Sequence, residues 1–256
     1  MSDGKQYAWK TAIAEATDTG LTVRGYDMLT DLVGKVDFVE MFYLLLTGKL
    51  PTKGQVKVIN ALFICCAEHG ISPSTTVTRF IQAAGVPIQC SVAAGVMMFG
   101  DIHGGAGEEF SRDIMDLVSE AQESGRDFDT VAQEYVASRK RISGYGHPQH
   151  PSGDPRTVVL FELAEKEGVA GAHIAMTQAI ERAIEKKRGR KIGANIDAAV
   201  GAISADLGLD WRVSRACIVV PRTAGLFAHA HEEMVREPGW RQIPLSEINY
   251  DGPAAK

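Results

Sequence analysis

Residues 37–51 read Asp-Phe-Val-Glu-Met-Phe-Tyr-Leu-Leu-Leu-Thr-Gly-Lys-Leu-Pro, and their spacing points to the fold class. Phe38, Met41, Phe42, Leu45 and Leu46 recur at i, i+3, i+4, i+7 and i+8, one apolar face of an α-helix. Asp37 with Glu40 three residues on has the form of a capping box, and Gly48 and Pro51 supply the stop. The same period returns in Met176, Ala179, Ile180, Ala183 and Ile184. Asp154-Pro155 reads as an N-cap followed by proline at the first helical position. Gly208 is a plausible cap after the run Ile196–Leu207. The stretch Val213 to Val235 is helical in pattern and carries Pro221, which predicts a kink. Alternating β-branched runs are nearly lacking, Leu21–Arg24 being the best candidate. The pattern predicts an all-α protein.

The chain has 256 residues, 45% hydrophobic and 23% charged, an ordinary globular balance with room for one large domain or a domain plus a smaller lobe. A formal net charge of −5 argues against a general nucleic-acid binder. No run of apolar residues is long enough to span a bilayer, and Met1 to Lys10 is polar, so the expectation is a cytoplasmic protein without a membrane segment. Cys65, Cys66, Cys90 and Cys217 form no zinc-like spacing, which predicts buried free thiols and no metal.

Glycines cluster between the helical patterns, beside ionisable residues. The first cluster is Asp101-Ile-His103-Gly-Gly-Ala-Gly-Glu-Glu109, a histidine followed by small residues at a helix start. Small residues let a substrate approach the backbone, and helix N-terminal amides favour developing negative charge. The plain alternative is a glycine-rich turn with an incidental histidine. The second is Ser143-Gly-Tyr-Gly-His147-Pro148, followed by Gly153-Asp154-Pro155-Arg156. A histidine with an arginine nearby suits hydrogen bonding to a carbonyl flanked by a carboxylate. The third is Gly193-Ala-Asn195-Ile-Asp197, a carboxylate opening an apolar helix after a basic run. There the simple alternative is that Asp197 caps the helix and the basic run is a solvated face. Arg222 lies in an otherwise apolar helix, where a partner such as a bound anion is expected. His229 and His231, two residues apart, face different sides and read as structural or exposed.

Taken in order, these clusters resemble the citrate synthase superfamily: H-G-G-A at His103, G-x-G-H at His147 followed by D-P-R, N-x-D at Asp197, then R-T-x-G-x-x-A-H from Arg222. Arg24-Gly-Tyr-Asp27, residues 38–51, Glu68-His69-Gly70, Thr78-Arg79 and Tyr250-Asp-Gly-Pro253 extend the likeness over nearly the whole chain. The resemblance implies an almost wholly helical fold in which a smaller lobe closes over a cleft. The large domain would hold about 1–108 and 210–256, and the small domain about 109–209. It also implies a homodimer or higher homo-oligomer that makes or breaks a carbon–carbon bond beside a coenzyme A thioester. By position, His103 matches the donor that stabilises the enolate, Asp197 the base that takes the α-proton, and His147 the group that polarises the keto carbonyl. His69, Arg156 and Arg222 match groups that hold the oxoacid carboxylates. The basic residues Arg139, Lys140 and Arg141, with Lys186, Lys187, Arg188 and Arg190, are the candidates for the coenzyme A phosphates. The substrates implied are an acyl-CoA and a 2-oxoacid or citrate-type acid, with no covalently bound cofactor.

The sequence departs from the synthase pattern in its tail. Counting back from Tyr250, the arginine that reaches a substrate carboxylate across the dimer is replaced by Leu245, and Arg241 lies four residues earlier. Gly107 stands where asparagine is usual. With the short N-terminal region, these departures resemble the citryl-CoA lyase branch. A citrate or 2-methylcitrate synthase is the alternative, and an idle homologue acting as a binding or regulatory subunit is the alternative of another class.

Overall fold

Helix α1 (Phe38–Thr47) begins at a reciprocal cap. The Asp37 carboxylate accepts the Glu40 amide at 2.8 Å, and the Glu40 carboxylate accepts the Asp37 amide at 2.7 Å. Gly48 ends the helix in the left-handed region. The computed structural model describes residues 9–146, 153–237, 239 and 241–253. Among them follow α2 (Lys53–Ala67), α3 (Pro73–Gln82), α4 (Ile88–Met97), α5 (Ala106–Ser124), α6 (Phe128–Ser138), α7 (Pro155–Lys166), α8 (Ala172–Arg188), α9 (Ile196–Asp206) and α10 (Ala216–Arg236). Asp154 caps α7 by accepting the Arg156 amide at 3.0 Å, with Pro155 at the first turn. The expected helices over residues 176–184 and 196–207 are α8 and α9. α10 runs through Pro221, which lies in its second turn and forfeits the bond to the Cys217 carbonyl. No described helix is long and apolar enough to cross a membrane.

The fold is mostly helical, as the all-α reading expects, and among the described residues it also carries a small sheet. Strands β1 (Ala14–Thr17), β2 (Gly20–Val23) and β3 (Tyr26–Asp27) pair antiparallel in the order β1-β2-β3. Val23 lies opposite both Ala14 and Tyr26. Four residues are too few to display a period of two, and β1 is exposed throughout, so only Leu21–Arg24 left a trace in the sequence. Val23 earns the sheet its place by packing with Leu32 and Leu44 of α1.

The chain divides into two units. One comprises residues 1–62 and 107–214, the other 63–106 and 215–256. The sequence expectation groups residues 1–108 together, whereas these contacts group 1–62 with 107–214. Helical periodicity reports which face is buried but not which neighbour buries it, and α2 runs uninterrupted through the boundary. In the first unit α8 packs against α6 and α9, and α7 against α9. Residues 198–205 of α9 are all buried, which makes it a central helix. In the second unit α3, α4 and α10 pack on one another around Val92, Leu226 and Ala230. Of the cysteines, Cys66 and Cys217 are buried, Cys65 is half-buried and Cys90 is exposed, so the expectation of four buried thiols fails at Cys90. Burial pushes the Cys217 thiol up to about 12.

Candidate active site

His103 lies in the turn ahead of α5, in the second unit. Gly104 has φ 79°, and a Cβ there would stand 2.6 Å from the Phe99 ring. A Cβ on Gly105 would stand 2.7 Å from the Gly100 carbonyl oxygen. The two glycines after the histidine are therefore steric requirements of the turn. The turn lays the imidazole on Phe99, with ring centroids 4.8 Å apart. Its Nε2 meets the Oγ of Ser74, a buried residue in the first turn of α3, at 3.2 Å. Burial pushes the imidazole below its ordinary pKa, and the Arg222 cation adds to this. The ring is held neutral, so one nitrogen donates and the other accepts. A Ser74 hydroxyl that donates to Nε2 leaves the ring proton on Nδ1.

Arg222, on α10, is buried, and its Nε donates to the Cys66 carbonyl at 2.8 Å. His69 is exposed at the end of the turn after α2, and its backbone amide donates to Glu68 Oε1 at 2.8 Å. The structure thus brings Arg222 into electrostatic range of His103 and sets His69 at the surface of the same unit. His229 joins an ion cluster there, with Nε2 3.1 Å from Glu68 Oε1 and Nδ1 3.4 Å from Arg79 Nη1.

Asp197 and Arg156 belong to the first unit. Asp197 is the second residue of α9, and the cap is not Asp197 but Asn195. The Asn195 Oδ1 accepts the Asp197 amide at 2.9 Å and the Ala198 amide at 3.3 Å. The Asp197 carboxyl is relieved of capping. Burial pushes its pKa above the ordinary carboxylate value, the Arg156 cation pulls it down, and Asp154 pushes it up. A carboxylate held this way is a stronger base than one in water. Arg156 grips Asp154, with Nη2 to Oδ2 at 2.6 Å and Nε to Oδ1 at 3.0 Å.

The strand-like segment before His147 is locked onto the segment before Asp197. Tyr145 forms an antiparallel bridge with Ala194, and Gly144, at φ 83°, lies so close to α9 that a Cβ would stand 2.9 Å from the Ala198 Cβ. The Tyr145 hydroxyl donates to the Thr177 carbonyl at 2.7 Å, and burial raises its pKa well above the ordinary value. His147 itself lies outside the described residues.

Four of the seven basic candidates line a cavity, although one of them, Arg188, also donates from Nη2 to the Lys140 carbonyl at 3.0 Å. Lys140, Arg141, Arg188 and Arg190 line a cavity of about 360 Å³ whose apolar wall includes Ile184 and Ile192. Lys187 instead caps the end of α6, donating to the Val136 carbonyl at 2.7 Å, and Lys186 donates to Gln133 at 2.9 Å. Arg139 pairs with Asp113 at 3.1 Å and covers the Tyr135 ring. Those three hold helices to one another. In the tail, Leu245 is exposed in a short 3₁₀ turn. Arg241 closes on Glu233 with Nε to Oε1 at 2.6 Å and Nη2 to Oε2 at 2.8 Å. Arg79 Nε reaches the same buried carboxylate at 2.7 Å. Sequence reading missed Ser74, Asp154 and Glu233 as partners; a buried polar residue has no local signature.

The citrate synthase C-terminal domain family matches residues 53–242. Citrate synthase of Synechocystis sp. is 28% identical over 205 residues, 78% of this chain and 50% of that protein. The glyoxysomal citrate synthase of Cucurbita maxima is 30% identical over 192 residues, 72% of this chain and 36% of that protein. The chain spans about half the length of the curated relatives it matches. The structure of citryl-CoA lyase from Hydrogenobacter thermophilus is matched with a TM-score of 0.89 at 32% identity, over 98% of this chain and 97% of that one. With the H-G-G turn, the capped N-x-D helix start and these matches in the same order along the chain, the protein belongs to the citrate synthase family.

Proposed function

We propose that the chain is an enzyme that makes or cleaves the carbon–carbon bond beside a coenzyme A thioester, with citryl-CoA lyase chemistry, citryl-CoA to acetyl-CoA and oxaloacetate, as its reaction. The observation that carries this reading is the likeness to citryl-CoA lyase over almost the full length of both chains. In cleavage His147 takes the proton of the citryl hydroxyl. The carbon–carbon bond breaks, the hydroxyl carbon becomes the keto carbon of oxaloacetate, and the electron pair passes into the thioester enolate. Neutral His103 donates a hydrogen bond to that enolate oxygen, the term that lowers the barrier most in such reactions. Protonated Asp197 returns a proton to the carbon and yields the acetyl thioester. Its raised pKa suits both directions, since the group must hold a proton before cleavage and take one before condensation.

Arg222, Arg156 and His69 hold the oxoacid carboxylates, and the cavity of Lys140, Arg141, Arg188 and Arg190 takes the coenzyme A phosphates. The protein works as a homodimer or higher homo-oligomer. Ile64, Phe80, Met97, Phe227 and Met234 of the second unit are exposed, apolar surface of the kind a second copy covers. Citrate or 2-methylcitrate synthesis is the second reading, favoured by the activities named for the curated relatives.

The test is citryl-CoA cleavage, followed by acetyl-CoA and oxaloacetate release, beside coenzyme A release from acetyl-CoA and oxaloacetate. Cleavage without net coenzyme A release supports the lyase. Steady coenzyme A release with citrate formation supports the synthase. Neither reaction sinks both.

A further inference from the structure

Asn195 is used at every polar atom, and the uses join two pieces of the candidate site. Its Oδ1 accepts the amides of Asp197 and Ala198. Its Nδ2 donates to the Gly146 carbonyl at 2.9 Å, and its backbone amide donates to the Gly144 carbonyl at 2.9 Å. The neighbouring residues hold both flanks of the segment that contains His147. Gly146 donates to the Gly193 carbonyl at 3.2 Å on one side, and Asp154 donates to the Ala194 carbonyl at 3.2 Å on the other. Asn195 is buried, so these bonds form out of competition with water.

Resting on the proposed function, we propose that Asn195 is a positioning residue that holds Asp197 and the flank of the His147 segment in one register through the two ends of its amide. A carboxamide is suited to this because it carries an acceptor and a donor on one short, planar group. Serine at an N-cap keeps an acceptor for the helix amides but has no arm to reach the Gly146 carbonyl. Alanine keeps neither. Positioning of this kind is worth much in rate, since misplacing a reacting group by about 1 Å costs up to about 100-fold. The groups that act on the Asp197 carboxyl are Arg156 of α7 and its cap Asp154, so a shifted Asp197 also changes what it feels from them.

The experiment compares wild type, Asn195→Ser and Asn195→Ala on the full-length protein. It reads kcat and KM for citryl-CoA, the pH dependence of the rate, thermal unfolding, and the titration of the Asp197 carboxyl by carbon-13 NMR, assigned by its loss in Asp197→Asn. In Asn195→Ser we expect unfolding within a few degrees of wild type, kcat lower by about 10- to 100-fold, and KM within about threefold. We also expect the Asp197 titration to move down toward the ordinary carboxylate value as the group loses its buried seat. Asn195→Ala repeats the rate loss and also unfolds at lower temperature. An Asp197 titration that is unmoved in both variants overturns the inference, and so does a wild-type kcat in Asn195→Ser. Wild type that acts on no coenzyme A thioester defeats the functional reading instead, and the Asp197 titration then still decides the role of Asn195.

Discussion

The start of α9 and the turn at His103 treat their ionisable groups in opposite senses to the same end. Burial pushes the Asp197 carboxyl up and the His103 imidazole down, so each side chain is biased toward its neutral form. The neighbours differ. Beside His103 the added influence is the Arg222 cation, which reinforces burial. Beside Asp197 the Arg156 cation opposes burial and is itself engaged by Asp154. The imidazole is thus driven toward its neutral form by both influences, whereas the carboxyl is pushed up by burial and Asp154 and pulled down by Arg156. The contrast accords with the roles proposed for the two, enolate stabiliser and base.

The sharpest attack on this contrast is Asp197→Asn. An amide keeps the shape and cannot carry the proton, so exchange of the thioester α-proton and citryl-CoA cleavage should fall by up to about 10⁴-fold, with thioester binding nearly unchanged. Deuterium incorporation at the wild-type rate would remove Asp197 from the mechanism. Replacing the donor, His103→Ala, is expected to lower kcat by about 10²- to 10³-fold, less than loss of the base. Steady-state kinetics with equal losses in the two variants would erase the distinction between them.

A third variant asks whether the cation set is functional or structural. Arg188→Ala with Arg190→Ala should raise the KM for the thioester by about tenfold and flatten its salt dependence, because the cavity loses two of its proposed phosphate partners. Lys186→Ala should leave that KM within experimental scatter, since Lys186 is engaged by Gln133. Equal effects in the two would undo the sorting seen in the structure.

The electrostatic balance gives a pH prediction with a definite sign. Arg156 lowers the Asp197 pKa, so Arg156→Gln lets burial and Asp154 act unopposed and raises it further. In the proposed condensation Asp197 would work ionised, so the rate would be lost as pH falls through that pKa. The acid limb should therefore move to higher pH. A pH–rate profile shifted to lower pH would show that another group sets the limb.

The smallest effect is expected at Arg241. Its side chain is about half exposed, and Glu233 keeps Arg79 when Arg241 is gone, so Arg241→Ala should cost about 1 kcal/mol in unfolding free energy. Because Arg241 is spent on Glu233, the KM for the oxoacid or citryl substrate should not change. A raised KM without loss of stability would mean that Arg241 has taken over the role of the residue replaced by Leu245.

Signals that act within a few residues were legible without coordinates. The Asp37–Glu40 box, the Asp154-Pro155 start, the buried face of α8 and the glycines after His103 each follow from sterics or hydrogen bonds inside one turn. Of the short sheet only β2 was foreshadowed, at Leu21–Arg24, because strands of four residues or fewer carry little readable period. The kinds of residue at the candidate site were equally legible, but their states were not. Which of seven cations line a cavity and which brace helices depends on partners far away in the chain, such as Val136 for Lys187 and Asp113 for Arg139. The raised Asp197, the cap at Asn195 reaching back to Gly146 and the closure of Arg241 on Glu233 are likewise matters of burial and pairing between separate segments. By itself, the sequence determined where helices start and stop and which side chains are available for chemistry, because those are local constraints. The tertiary structure decided which of them are desolvated, paired or left to act, because solvation and partnership exist only once distant segments have packed.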